Sequence, residues 1–201
     1  MKYHFVITIL GVFFSICTLS AQRTNATVVF KDGTHRAGLI KVVNTDELWF
    51  KNSGYAETEV FYFRSIDKIL FNSNGEEIEI VRRYLKDSNR GILVERVYHG
   101  DVVLYKISNE LRIDIPNFKK NNFFQLLGST LDASSNAYFI GEDDQNTVQY
   151  LGQDSWAMTG LRKALKKYLE NCPALVEKIK RNEFTEKEVV EIVAFYDEEC
   201  N

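Results

Sequence analysis

"VVFKDGTHRAGLI", residues 28–40, reads as two β-strands joined at a tight turn. Residues 27–30 (TVVF) are β-branched and aromatic, side chains that suit a pleated, half-buried surface. Asp32-Gly33 supplies the positive φ that a short hairpin needs, and "HRAGLIKVV" takes up the second strand. Gly38 inside that strand predicts a bulge or sharp bend, a device that lets a short sheet curl.

Working outward, the chain continues with "ELWFK" (47–51), a Ser53-Gly54 turn, "TEVFYF" (58–63), "IDKILF" (66–71), a turn at Asn74-Gly75 and "EIEIVRRY" (77–84). Short strands at nearly regular spacing resemble the SH3-like and Sm-like small barrels. The resemblance implies a barrel over residues 26–84, with Trp49, Phe61, Phe63, Ile69 and Phe71 filling it. Beyond it lie a polar loop (86–91), the hairpin "ILVERVYHGDVVLYKI" (92–107) turning at His99-Gly100-Asp101, and an irregular stretch, 109–136. "AYFI" (137–140) is a further strand, followed by the acidic loop "GEDDQN" (141–146) and "TVQYL".

From residue 155 the period changes from two to 3.6. Leu161, Ala164, Leu165, Tyr168, Leu169 and Cys172 share one helical face. Pro173 stops that helix and opens the next, "PALVEKIKR". Thr185 with Glu188 three residues on forms a capping box for a last helix carrying Val189, Ile192, Val193 and Tyr196 on its apolar side. The expected fold is therefore α+β. Its parts are a leader (1–21), a small barrel (22–85), β-hairpins with the irregular insertion (86–154) and a helical segment (155–201).

The leader, "MKYHFVITILGVFFSICTLSA", has a positive start at Lys2, an apolar run from Phe5 to Leu19, and small residues at Ser20 and Ala21. It has the form of a secretory signal peptide, with Gln22 as the new N-terminus. Cys17 is preceded by Ile16 and lies inside the apolar run, which does not suit lipid attachment. No other segment reaches membrane-spanning length. Removing residues 1–21 leaves 180 of 201 residues and takes the basic residues from 25 to 24 against 28 acidic, a formal net charge of −4.

That charge bears on the barrel. Nucleic-acid binding depends on clustered Lys and Arg against phosphates. Here Lys31, Arg36, Lys41, Lys51 and Arg64 are interleaved with Asp32, Asp46, Glu47, Glu57 and Glu59, so no nucleic-acid partner is expected.

A second resemblance is carried by "VYHGDVVLYK", by "YFIGEDDQNTVQYL", and by the helices running through "NCP" to a final "DEEC". These are similar to a family of small exported bacterial proteins with no assigned activity. The likeness covers roughly residues 92–108 and 137–200 and implies architecture and export only.

Motifs for chemistry are sparse. Only His35 and His99 remain after the leader, and there is no CxxC, GxSxG, P-loop or GxGxxG. No catalytic residue, metal ligand set or cofactor site is assigned. Glu142, Asp143 and Asp144 lack the spacing of a calcium loop and are expected to be a solvated turn. Cys172 and Cys200 are the only cysteines left in a chain bound for an oxidising compartment, and a disulfide between them is expected. Phe118, Phe123, Phe124, Leu126 and Leu127 fit neither the barrel nor the second resemblance, and are a candidate patch for a partner. The functional expectation is a non-catalytic binding or assembly module in the periplasm or outside the cell, meeting an envelope protein or polymer. The alternatives are an envelope hydrolase working through carboxylates and a purely structural component.

Overall fold

The computed structural model describes residues 24–52, 54, 57–73, 75–88, 90–107, 136–154, 159–181, 183–184 and 189–200. The leader, the candidate patch Phe118, Phe123, Phe124, Leu126 and Leu127, and the capping pair Thr185 and Glu188 lie outside the described residues.

Among the described residues there are ten strands and three helices, an α+β arrangement. The strands are β1 (Thr24–Phe30), β2 (His35–Val42), β3 (Glu47–Lys51), β4 (Glu59–Tyr62) and β5 (Ile66–Ser73), then β6 (Glu76–Leu85), β7 (Gly91–Tyr98), β8 (Val102–Ile107), β9 (Ala137–Glu142) and β10 (Thr147–Gln153). The helices α1 (Thr159–Tyr168), α2 (Pro173–Lys180) and α3 (Val189–Glu199) follow. All strands belong to one sheet, ordered β10-β9-β8-β7-β6-β5-β1-β2-β3-β4.

The hairpin that opened the reading forms as expected. Gly33 has φ +84°, and the carboxylate of Asp32 accepts hydrogen bonds from the Thr34 N–H at 2.9 Å and hydroxyl at 2.6 Å. These bonds hold the Asp32 carboxyl below its ordinary range.

Two features show that the sheet rolls. β5 and β4 are separated by three intervening strands, about 19 Å in a flat sheet. Yet they are joined by a hydrogen-bonded turn, with Ser65 N–H donating to Tyr62 O at 3.0 Å and Ile66 N–H to Phe63 O at 3.2 Å. Such a turn keeps its ends within about 7 Å, so the first five strands must curl over their inner face. No ladder joins β4 to β5 among the described residues, and the roll stays open along that seam. At the other end β10 returns to β6, pairing Thr147 with Tyr84 and Val148 with Leu85. β6 to β10 thus form a circuit of five. With the other four pairings antiparallel, an odd circuit forces its last pairing to be parallel, as this one is.

One buried cluster runs through the rolled sheet from Ala26 and Val28 to Phe139 and Val148. β8 and β9 are buried on both faces. Val103, Tyr105, Ala137 and Phe139 join that inner cluster, while Val102, Leu104, Tyr138 and Ile140 pack under the helices. This explains the nearly unbroken apolar runs "VVLY" and "AYFI", since neither face meets water. Burial, with Asp154 nearby, pushes the Tyr138 phenol up to about 12.

The expected helical face is the one that packs: Leu161, Leu165, Leu169 and Cys172 from the first helical segment, Leu175 and Ile179 from α2, and Val189, Ile192, Val193 and Tyr196 from α3. Cys172 and Cys200 are joined, with Cα atoms 5.6 Å apart. One turn before Cys200, the Asp197 carboxylate accepts bonds from Tyr98 Oη at 3.1 Å and Val102 N–H at 3.0 Å. The C-terminal helix is therefore tied both to α2 and to the β7–β8 turn.

Two expectations need correction. Gly38 makes no bulge: β1 and β2 stay in register through it. A Cβ there would lie 2.6 Å from the Phe50 ring and 2.6 Å from the Lys51 carbonyl, so glycine serves close packing. The register shift lies instead between Val29 and Phe30, against β5. Trp49 does not fill the core. Strand alternation buries Leu48 and Phe50 and turns Trp49 to the outer face, where it is 37% exposed. Phe63, Ile69 and Phe71 are buried as expected, and Phe61 is half-buried against them.

Candidate functional site

The most distinctive surface follows from how β4 is fixed. Its inward residues anchor it. Phe61 stacks on Phe50 with ring centres 5.0 Å apart and meets Phe30 edge-on at 5.1 Å. The Arg36 guanidinium covers Phe50 and Phe61 at 4.7 and 5.2 Å, and Glu59 grips it with two bonds of 2.6 Å. That pairing holds the Glu59 carboxyl below its ordinary range and raises Arg36. Both side chains are substantially exposed, so the pair orients more than it stabilises.

The outward residues are a different matter. Val60 and Tyr62 are 45% and 48% exposed, and Trp49 is the cross-strand partner of Val60. Together they make an apolar strip on the outer face. Lys41 stands over the Trp49 ring at 5.3 Å and Arg64 over Tyr62 at 5.2 Å, while the indole N–H donates to Glu47 at 2.8 Å. Scattered apolar residues on a surface are ordinary, but three adjoining large ones at a sheet edge are the kind of patch that partners use.

Backbone geometry adds to this. Val43 N–H donates to Glu47 O and Phe63 N–H to Asp46 O. In an antiparallel ladder the bonded positions alternate, so the odd residues of β3 bond to β2 and the even ones to β4. On β4 the odd residues, Glu59 and Phe61, therefore face β3, and Val60 and Tyr62 direct their N–H and C=O groups away from the sheet. The Tyr62 carbonyl accepts from Ser65. Among the described residues, the Val60 N–H and C=O and the Tyr62 N–H have no partner. β4 is an open edge.

A second concavity, a cleft of about 600 Å³, lies where the helices meet the β7–β8 and β9–β10 turns, lined by Asp101, Val102, Glu142, Asp143, Asp144, Tyr168 and Tyr196. Burial and nearby Glu142 raise the Tyr168 phenol. The loop acids Glu142, Asp143 and Asp144 do line this cleft, yet no group of three or more metal-binding side chains comes together among the described residues. All four cleft carboxylates are exposed. Among the less exposed acids, Glu95 is tied to Lys106 at 3.1 Å and Glu79 to Lys68 and Arg96, each at 3.0 Å, while Asp154 accepts from Asn136 and Asp197 from Tyr98 and Val102.

His35 begins β2, and His99 sits in the β7–β8 turn beside Arg96 and Asp143. The two histidines thus stand on separate elements.

Trp49, Val60 and Tyr62 were not singled out as a surface by their sequence. One signal for Trp49 was present: Glu47, Trp49 and Lys51 share a strand face, and two charges at i±2 mark that face as solvated. No protein-family model, no curated protein and no solved structure matches the chain.

Proposed function

We propose that this chain is an exported, non-catalytic binding or assembly module of the cell envelope, working through the open edge and apolar face of β3–β4. The observation that carries the reading is the coincidence, on one four-residue strand, of unpaired backbone groups with exposed Val60 and Tyr62 beside Trp49. Strand addition uses those two elements: main-chain bonds for affinity and alternate side chains for selectivity.

Export rests on the signal-like leader ending at Ala21 and agrees with the Cys172–Cys200 bridge and with the resemblance to small exported bacterial proteins. Among the described residues no helix is long and apolar enough to cross a membrane. The first five strands form, in this reading, an SH3-like unit. Their order, β5-β1-β2-β3-β4, and the tight β4–β5 turn support it. The interleaved charges of these strands speak against an RNA partner.

A photo-crosslinking amino acid at position 60, in cells expressing the full chain, tests the reading. It should give a discrete adduct in the envelope fraction, and the same group at exposed Lys163 on α1 should give none. Absence of an adduct at position 60, or equal adducts at both positions, would overturn it.

A further inference from the structure

The most buried cation among the described residues is Arg83 on β6, 8% exposed. Strand alternation sets it on the face of Val81 and Leu85, which belong to the cluster inside the sheet. Its Nε–H donates to Tyr105 Oη at 2.9 Å, and its guanidinium carbon lies 5.2 Å from the centre of that ring. Tyr105 is on β8, with β7 between it and β6, so the bond crosses the interior of the five-strand circuit. An Nη1–H donates to the Arg82 carbonyl at 3.0 Å.

No carboxylate answers this charge. Every other cation on β5 to β8 holds one: Lys68 and Arg96 share Glu79, Arg82 holds Asp46, and Lys106 holds Glu95. Arg83 is buried more deeply than any of them and has no acidic partner among the described residues. A guanidinium cannot relieve such burial by losing its proton, and an uncompensated buried charge is strongly unfavourable. Two of its five N–H groups are engaged, which leaves three, all on the Nη1–Nη2 side. The Nε atoms of Arg82 and Arg96 are unbonded and sealed from solvent. Nη2 of Arg83 is unbonded but not sealed, so this end of the fork opens outward.

We infer that Arg83 anchors a carboxylate-binding site within the β6–β10 circuit, separate from the β4 edge. The Nη1–Nη2 side presents two prongs that match the two oxygens of a carboxylate in spacing and charge. Tyr105 and the Arg82 carbonyl already fix the fork, so little freedom is lost when a ligand arrives. The ligand is a small organic acid. A guanidinium this enclosed is reached by a flat carboxylate on a slender stem, and a tetrahedral phosphate fits it less well.

Titration of the purified exported protein with sodium acetate, read at the Arg83 Nε–Hε resonance, tests the site. The signal should shift saturably, half-complete at roughly 1–10 mM acetate. Sodium chloride at the same ionic strength should give no saturable shift, and inorganic phosphate should act at least about tenfold more weakly. Arg83→Met keeps the length and removes the charge. In acetate-free buffer its urea midpoint should equal or exceed that of the natural chain, since a charge without a partner has been removed. Acetate at about 100 mM should raise the natural chain's midpoint and leave the variant's where it was. No saturable shift by that concentration, a response that chloride reproduces, or tighter binding of phosphate would overturn the proposal. A variant less stable than the natural chain in acetate-free buffer would overturn it too, because the protein alone would then satisfy the charge.

Discussion

Phe50→Ala should lower the unfolding free energy by about 3–5 kcal/mol, while Trp49→Ala, one residue away, should change it by less than about 1 kcal/mol. The contrast follows from the pleat. Phe50 is fully buried, stacked on Phe61, capped by Arg36 and set over Gly38, where no Cβ intervenes. Truncating it leaves a cavity that neighbours held by two strand ladders cannot collapse into. It also removes the ring that seats Phe61, the inward anchor of β4. Trp49 loses only a half-covered surface contact with Lys41 and a bond to Glu47. Urea unfolding of the two variants measures both. A larger loss for Trp49→Ala would mean that β3 faces the other way, and with it the whole argument about the outer face.

Breaking the Cys172–Cys200 bridge should cost about 3–4 kcal/mol. The two residues are 28 apart, and a closed loop of that size restricts the unfolded chain by about that amount in the entropy model. The helical cap has the most to lose. Its packing on β8 and β9 uses one stripe of each helix, and the end of α3 is held by the bridge, the Asp197 carboxylate and the Tyr196 hydroxyl on Asn171. Denaturant unfolding with and without reductant, repeated on Cys172→Ala with Cys200→Ala, gives the number. A loss under about 1 kcal/mol in both would show that the helices hold without the staple. Peptide mapping without reductant should find the two cysteines linked.

What the sequence made legible follows from how local each signal is. The strands, the Asp32-Gly33 turn and the helical stripe from Leu161 to Cys172 depend on neighbours within one turn or one pleat, and they are where expected. The cysteine pair was accessible because only one partner existed after the leader. The facing of Trp49 was misread because "LWF" offers three large apolar residues in a row, and hydrophobicity alone does not say which alternate set faces in. The charged neighbours Glu47 and Lys51 do say it. Gly38 was assigned a bend because a glycine in a strand has two uses, and only the position of the Phe50 ring distinguishes them. The parallel return of β10 to β6 and the open edge at β4 are long-range results of strand order. No window of sequence contains them, and the candidate site is built on the second.

Residue-resolved amide hydrogen exchange on β4 tests that open edge most directly. In dilute protein the amides of Val60 and Tyr62 should exchange at least an order of magnitude faster than those of Phe61 and Phe63, whose N–H groups bond to β3 and its flank. Val60 and Tyr62 protected as strongly as Phe61 at the lowest concentration would contradict the account, since the edge would then be closed before any partner arrives.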